Sequence, residues 1–132
     1  MSETLSVVVE REMAYAPEKI WRALTQPHLI EEWLMKNNFQ SVVGHRFDLT
    51  ADWGSVGCEV LVVEPNKTLS YTWSAYGLKS VVTWTLTSTS TGTYLRMEQS
   101  GFRPDQQQAY NGAKYGWQRF FGNLEQVLAE LE

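Results

Sequence analysis

The sequence predicts an α+β fold in which a curved antiparallel sheet of about six strands packs against one long C-terminal helix. Two short helices are expected after the first strand. Apolar residues recur three and four apart through residues 105–132, which is typical of an amphipathic helix with one buried face. Between residues 44 and 99, apolar and polar residues alternate in short runs without crossover helices, which favours neighbouring antiparallel strands.

The chain of 132 residues has the size of one domain, residues 1–132, with a formal net charge of −4. It has no basic run, so a nucleic-acid partner is not expected. The longest apolar runs, such as residues 60–63, are too short to span a bilayer, so membrane insertion is not expected. Residues 1–4 lack the features of a secretion signal. The single cysteine, Cys58, excludes an internal disulfide. We therefore expect a reducing, cytoplasmic setting.

The first elements are a strand and two short helices. Residues 5–10 alternate with the period of a half-buried strand. Ala16-Pro17-Glu18 opens a short helix, because proline suits the first helical position and a carboxylate there favours the helix dipole. Pro27 is expected to end this helix, and residues 28–34 form the second.

Five further strands are predicted after Gly44, separated by turns at Gly54-Ser55, Pro65-Asn66-Lys67, Gly77 and residues 88–92. Their period of two assigns one set of side chains to the face that meets the helix. This set is Phe47, Leu49, Ala51, Trp53, Leu69, Tyr71, Trp73, Ala75, Val82, Trp84, Leu86, Leu95 and Met97.

The long helix is predicted to begin after Asp105, which is a suitable N-cap residue. Its apolar face comprises Tyr110, Ala113, Trp117, Phe120, Phe121, Leu124, Leu128 and Leu131. Three glycines interrupt the pattern. Gly116 flanks the apolar face, whereas Gly112 and Gly122 lie nearly opposite to it, so close approach to the sheet explains Gly116 alone.

Two sets of residues carry a family resemblance. Residues 16–27, APEKIWRALTQP, followed by Trp33, resemble the opening motif of the START-like, helix-grip (SRPBCC) superfamily. The sequence also resembles one branch of this superfamily, which is related to the activator of the 90-kDa heat-shock protein's ATPase. The residues that carry this resemblance are Gly101-Phe102, Gly116-Trp117, Leu124 and Leu128. The resemblance covers essentially the whole chain. It implies a fold whose members hold small apolar or amphipathic molecules between sheet and helix, and a few of whose members are cyclases or hydrolases.

Aromatic residues are unusually frequent, with six Trp, six Tyr and five Phe. Apolar walls with few polar groups are typical of small-molecule pockets, so we predict a cavity between sheet and helix. The alternative is a solid core, since protein interiors are close-packed. The predicted ligand-binding residues are Trp33, Phe47, Trp53, Tyr71, Trp73, Trp84, Met97, Gln99, Tyr110, Trp117 and Phe121.

Gln99 is the main polar candidate in this set. It shares the phase of Leu95 and Met97, so its amide is expected to point inward, where it needs a hydrogen-bond partner or a ligand. Sequences that resemble this stretch often have histidine at the equivalent place. Glutamine does not titrate, which argues against acid–base chemistry at this position.

No catalytic residue is predicted. His28 and His45 lie in corner regions and are expected to be solvated, and Asp48 and Asp52 share the strand face opposite the pocket. Cys58 is interpreted as a small buried thiol. The sequence contains no phosphate-binding glycine loop, serine nucleophile elbow or metal-ligand spacing, so we expect neither a metal nor a cofactor.

The predicted function is to bind or carry a small hydrophobic or aromatic molecule. One alternative is a cyclase- or hydrolase-type enzyme for a polyketide-like or aromatic substrate, which convergence of Gln99, Glu59 and Tyr71 inside a cavity would favour. The orientation of Glu59 stays open, because its neighbours are apolar throughout. A second alternative, implied by the resemblance, is a co-chaperone-like module, although a shared fold does not transfer function. Contact with a chaperone and formation of a homodimer are left open.

Overall fold

The structure, a computed structural model, describes residues 4–131 and confirms the α+β fold. Residues 1–3 and Glu132, the predicted last residue of the long helix, lie outside the described residues. The strands are β1 (Leu5–Met13), β2 (Lys36–Asn37), β3 (Arg46–Ala51), β4 (Gly54–Glu64), β5 (Thr68–Ala75), β6 (Leu78–Thr89) and β7 (Gly92–Phe102). The helices are α1 (Pro17–Thr25), α2 (Pro27–Trp33) and α3 (Gln107–Glu130).

The described strands form one antiparallel sheet in the order β1-β7-β6-β5-β4-β3-β2. Strand β2 is additional to the predicted six, and its two residues are too few to show an alternating pattern. It pairs with β3 through Asn37 and Leu49. The Asn37 side chain holds this segment in place, since its Nδ2 donates to the carbonyl oxygen of Pro27 across 3.0 Å and its Oδ1 accepts from the amide of Phe39 across 3.1 Å.

The predicted alternation places the expected side chains inside β5, β6 and β7. Trp84, Leu95 and Met97 are fully buried, and Gln99 points inward as predicted. Strand β4 departs from strict alternation because its pairing with β5 shifts between Val60 and Val62. Such a bulge bends the strand and re-aims its side chains. Residues 60–63 are apolar throughout, although only Val60 is fully buried and Leu61 is 38 % exposed.

The first hairpin turns two residues earlier than predicted. Strand β3 ends at Ala51, so the turn lies at residues 52–53 and Gly54 already belongs to β4. The alternating pattern misplaced this turn because Trp53 continues the apolar phase of β3 into the connection. Gly54 is required there, since it has φ of 142° and a Cβ on it would lie 2.3 Å from the Tyr76 hydroxyl oxygen. That hydroxyl donates to the carbonyl oxygen of Trp53 across 2.8 Å.

Two helix starts also differ from the predictions. Pro27 begins α2 instead of only ending α1, because proline is suited to the first helical position. Asp105 is not the N-cap of α3, which begins at Gln107 and has no side-chain cap hydrogen bond. The Asp105 carboxylate instead accepts from Nε of Arg103 across 3.1 Å. From Gln107, α3 continues unbroken to Glu130, and its buried residues include Val127, which the apolar face had omitted.

The core between sheet and α3 is built on Trp84. Its ring contacts Trp33, Trp117 and Phe121 with centroid distances of 5.6, 5.7 and 5.5 Å. Such edge-to-face and stacked pairs fill space efficiently and stabilise a core beyond their buried area. This half of the interface is therefore solid. None of the helices in residues 4–131 is both long enough and apolar enough to cross a membrane.

Candidate ligand-binding site

Beside the solid core, residues 109–120 of α3 and the facing strands border an apolar compartment of about 320 Å³. Strands β5, β6 and β7 provide its floor, and the segments around Met35 and Trp53 provide one side. The residues that line it are Met35, Trp53, Trp73, Leu78, Gln99, Ala109, Gly112, Ala113, Gly116, Trp117 and Phe120.

The compartment exists because one flank of α3 lacks bulky side chains. Ala109, Gly112, Ala113 and Gly116 follow one another at spacings of three, one and three, which places them along the same side of a helix. A methyl group or a hydrogen atom cannot reach the floor across the gap. The next residue on this flank, Phe120, is large enough to close the compartment toward the core.

The floor combines two indole rings with one amide. Trp73 and Trp117 lie with their ring centroids 5.4 Å apart. Gln99 lies beneath them and is only 1 % exposed. An amide in this position is desolvated, so its hydrogen bonds decide which way it points.

The hydrogen bonds fix the orientation of the Gln99 amide. The Trp117 indole N–H can only donate, so the atom that it meets at 2.7 Å is Oε1 of Gln99. Nε2 of Gln99 therefore faces Ser80 and donates to its Oγ across 2.9 Å. The Ser80 hydroxyl in turn donates to the carbonyl oxygen of Trp73 across 2.8 Å. The chain of donors runs from α3 through β7 and β6 to β5.

These hydrogen bonds do not use all the donors and acceptors of the Gln99 amide. A primary amide has two N–H donors and an oxygen with two lone pairs. Within residues 4–131, Gln99 makes one side-chain bond through each end. One donor and one acceptor thus remain for a polar group that enters the compartment.

A second cavity of about 240 Å³ continues the first along α3. We call it the arginine compartment, and it is lined by Leu34, Met35, Ala51, Trp53, Gly116, Arg119, Phe120 and Asn123. Four residues line both compartments: Met35, Trp53, Gly116 and Phe120. The two compartments therefore form one cleft. The ring of Trp53, which is 54 % exposed, lies at its rim beside Tyr76.

The structure brings together four of the predicted ligand-binding residues in the apolar compartment: Trp53, Trp73, Gln99 and Trp117. Six others do not line it but pack into the buried core: Trp33, Phe47, Tyr71, Trp84, Met97 and Phe121. They face inward as expected, yet they belong to one buried hydrophobic cluster, so the solid-core alternative describes this part of the interface. Phe47, for example, contacts Phe39 and Tyr71 with centroid distances of 5.1 and 5.4 Å.

Tyr110 lies on the other flank of α3. Its ring packs against Phe102 at a centroid distance of 5.6 Å and borders a depression beside β1. The helical wheel grouped Tyr110 with Trp117 because both are apolar and seven positions apart. The structure separates them, since Trp117 borders the cleft and Tyr110 packs against Phe102 and borders the depression beside β1.

Seven lining residues are not among the predicted ligand-binding residues: Met35, Leu78, Ala109, Gly112, Ala113, Gly116 and Phe120. Gly112 had been placed on the outward side of α3, but it borders the cleft. A run of small residues at helical spacing was the available signal. It is weak, because small residues mark both close packing and open space.

The residues with reactive side chains lie elsewhere. Burial, together with the charge of Asp48, raises the pKa of the Cys58 thiol from 9.0 to about 12. Burial also raises the pKa of Tyr71, whose hydroxyl accepts from the Trp84 indole N–H across 3.1 Å. Glu59 faces outward and its carboxylate lies 3.4 Å from Nε of Arg46. Of the three residues whose convergence would favour an enzyme, only Gln99 borders the cleft.

Both histidines and the pair Asp48 and Asp52 also lie outside the cleft. His28 is exposed, and His45 is half-buried, with its Nε2 2.9 Å from the carbonyl oxygen of Asn38. Asp48 and Asp52 are exposed. Within residues 4–131, no three metal-ligating side chains lie close enough to hold a metal ion together.

Similar folds are found in several solved structures. Protein MLL2253 from Mesorhizobium loti is 64% identical, with a TM-score of 0.94 over 97% of this chain and 99% of its own. DynU16, a protein of the dynemicin biosynthetic locus, is 26% identical with a TM-score of 0.85 over 94% of this chain, which spans 47% of DynU16. Protein BH1534 from Bacillus halodurans is 24% identical, with a TM-score of 0.85 over 97% of this chain and 99% of its own, and it shows the shared fold alone.

No protein with a curated function matches the chain. Residues 14–129 match the sequence profile of a family described as Activator of Hsp90 ATPase homolog 1-like protein. This match covers most of the domain, from the end of β1 to the last turn of α3. The chain therefore belongs to the Activator of Hsp90 ATPase homolog 1-like family, in agreement with the START-like motifs of its sequence.

Proposed function

We propose that this protein binds a small hydrophobic or aromatic molecule in the cleft between its sheet and α3 and acts as a ligand-binding or carrier protein. The observation that carries the proposal is an apolar compartment with one buried, oriented amide at its floor. Ligand pockets are typically concave, mostly apolar and equipped with a few fixed polar groups.

The size of the cleft supports this proposal. The apolar compartment alone measures about 320 Å³, at the lower end of the volumes found for small-molecule pockets. The adjoining arginine compartment adds about 240 Å³. A molecule with one or two rings, or a medium-length alkyl chain, suits this space better than a large lipid.

The chemistry of the walls supports binding more than catalysis. Every described residue that lines the apolar compartment is uncharged. The indole rings of Trp73 and Trp117 offer faces and edges for stacking against an aromatic ligand. The spare donor and acceptor of Gln99 suit a ligand hydroxyl or carbonyl group.

A fluorescent probe can test the proposal. N-phenyl-1-naphthylamine is uncharged and emits strongly in apolar surroundings, so we expect a saturable rise in emission on titration of the protein. In Gly116→Leu the new side chain would occupy the junction of the two compartments, and we expect affinity to fall about tenfold or more, the equivalent of roughly 1.4 kcal/mol.

The matched control is Gly122→Leu, because Gly122 lies on the same helix with open space around it. This variant should bind the probe as the wild type does. Absence of saturable binding, or equal loss in both variants, would refute the proposal.

A second candidate function is enzymatic. The likeness to DynU16, which is 26% identical and belongs to a biosynthetic locus, favours a cyclase- or hydrolase-type reaction on a polyketide-like or aromatic substrate. In such an enzyme the cleft would act mainly by holding the substrate in a reactive shape. Incubation with aromatic polyketide-like compounds, followed by mass spectrometry, separates the two functions, since a carrier returns its ligand unchanged.

The family description suggests a chaperone as a further partner, and a homodimer is a separate proposal. A co-chaperone role would require binding to a 90-kDa heat-shock protein, which a pull-down and an ATPase assay would detect. Self-association into a homodimer would show in sedimentation. We also propose a cytoplasmic setting, which is compatible with the free thiol of Cys58.

A further inference from the structure

Arg119 occupies an unusual electrostatic position. It is the one charged residue among the described residues that line either compartment of the cleft. Its guanidinium makes no ion pair and no side-chain hydrogen bond within residues 4–131. Four other arginines each pair with a carboxylate: Arg11, Arg46, Arg96 and Arg103.

An unpaired guanidinium beside apolar walls favours an anion. Arg119 is exposed, so water screens its charge in part, and a carboxylate that pairs with it gains a modest amount of binding energy. The guanidinium also presents a planar fork of donors that matches the two oxygens of a carboxylate. Asn123, four residues further along α3, borders the same compartment and can donate from its amide.

The cleft connects this cation to the apolar compartment. Gly116 and Phe120 border both spaces, so no element of the fold separates them. From Ala109 to Asn123 the helix advances about 21 Å at 1.5 Å per residue. A ligand whose apolar part lies over Trp73 and Trp117 can therefore extend its end to Arg119.

We propose that the cleft selects an amphipathic monoanion, a molecule with an apolar body and a terminal carboxylate. The body occupies the apolar compartment, and the carboxylate pairs with Arg119 and accepts from Asn123. This inference rests on the proposed ligand-binding function and adds the chemical class of the ligand to it.

Displacement of N-phenyl-1-naphthylamine by two matched compounds tests the inference. Decanoate and decanamide have the same alkyl chain, but only decanoate is charged. We expect wild-type protein to bind decanoate roughly three- to tenfold more tightly, with the difference shrinking at high salt, because the pair is partly exposed.

Substitution of Arg119 supplies the second arm. Arg119→Gln should lower the affinity for decanoate to about that for decanamide, and Arg119→Lys should restore part of the preference for decanoate. Arg103→Gln is the control, since it removes the same charge from a site outside the cleft. Arg103→Gln should prefer decanoate over decanamide to the same extent as the wild type does.

The outcomes separate the two proposals. Equal affinity of wild type for both compounds, or an unchanged preference in Arg119→Gln, would overturn the anionic ligand class while leaving the cleft as a binding site. Failure of the probe, decanoate and decanamide to bind at all would overturn the binding function itself, and this inference with it.

Discussion

The indole N–H of Trp117 donates to Oε1 of Gln99 across 2.7 Å, which joins α3 to strand β7 at the floor of the cleft. Both residues are at most 2 % exposed. This hydrogen bond both holds α3 against the sheet and orients the Gln99 amide in the cleft. Its loss should therefore affect stability as well as binding.

Gln99→Leu is expected to destabilise the protein by about 1–3 kcal/mol, because it leaves the buried indole N–H of Trp117 without an acceptor. Denaturant unfolding would show a lower midpoint with an unchanged slope. Combined with Trp117→Phe, the loss should be smaller than the sum of the two single losses, since the orphaned donor is then removed as well. If the losses in unfolding free energy of the two single variants were additive, the hydrogen bond between Trp117 and Gln99 would be contradicted.

Two exposed glycines of α3 form a matched pair. A Cβ at either Gly112 or Gly122 would meet nothing within 4 Å, so alanine should stabilise the helix by roughly 0.5–1 kcal/mol at both positions. Only Gly112 borders the cleft. Thermal unfolding should thus show two similar gains, whereas probe affinity should change in Gly112→Ala alone. Destabilisation by Gly122→Ala would mean that this position is packed against a partner.

Trp53→Ala should separate binding from folding. The ring is 54 % exposed at the rim of the cleft, so its removal should change the free energy of unfolding by less than about 1 kcal/mol while weakening probe binding. Tyr115→Ala is a control, because Tyr115 is 70 % exposed and does not border the cleft. A similar loss of affinity in both variants would remove Trp53 from the binding site.

Trp84→Ala is expected to have the opposite profile. Its fully buried ring contacts three other rings, and truncation of such a residue typically costs about 3–5 kcal/mol. Calorimetry or urea unfolding would measure the loss. A change below about 1 kcal/mol would show that the core around Trp84 is looser than the structure describes.

The thiol of Cys58 predicts a pH dependence at high pH. Its pKa is raised to about 12 in the folded protein from 9.0, so the folded state keeps its proton where the unfolded state loses it. This group contributes its full stability below about pH 9, and the contribution falls as pH rises from 9 toward 12, by up to about 1.4 kcal/mol per unit.

Tyr71 shifts in the same direction, so the Cys58 effect must be isolated by comparison with Cys58→Ala. The difference in unfolding free energy between the two proteins should narrow between pH 9 and 11. A constant difference over that range would contradict the raised pKa. The native thiol should also react far more slowly with iodoacetamide at pH 8 than the urea-unfolded thiol.

The strand phases could be predicted from the sequence because most apolar side chains along β5, β6 and β7 recur at every second residue. This rule placed Trp73 and Gln99 on the inner face without any knowledge of their neighbours. It misplaced the turn after β3, because Trp53 is an apolar residue in the turn and continues the alternation of that strand. The prediction of Asp105 as the N-cap of α3 was wrong for another reason, since its carboxylate accepts from Arg103 instead of from the helix backbone.

The position of the cleft could not be predicted, because periodicity reports which residues face inward and does not report whether they touch. Phe121 and Trp117 are neighbours on the same helix face, yet Phe121 is packed in the core and Trp117 borders the cleft. What distinguishes them is the size of the residues one turn earlier. Gly112 and Ala113 leave a gap that an aromatic or branched residue would fill.

The capacity of the cleft is consequently set by four small residues on one flank of α3: Ala109, Gly112, Ala113 and Gly116. None of them belongs to the sheet, whose hydrogen-bonded ladder would resist alteration. Exchanges among glycine, alanine and serine at these positions would change the volume of the apolar compartment by about one heavy atom at a time. Natural variation, or a small combinatorial library, could thus retune ligand size on an unchanged scaffold.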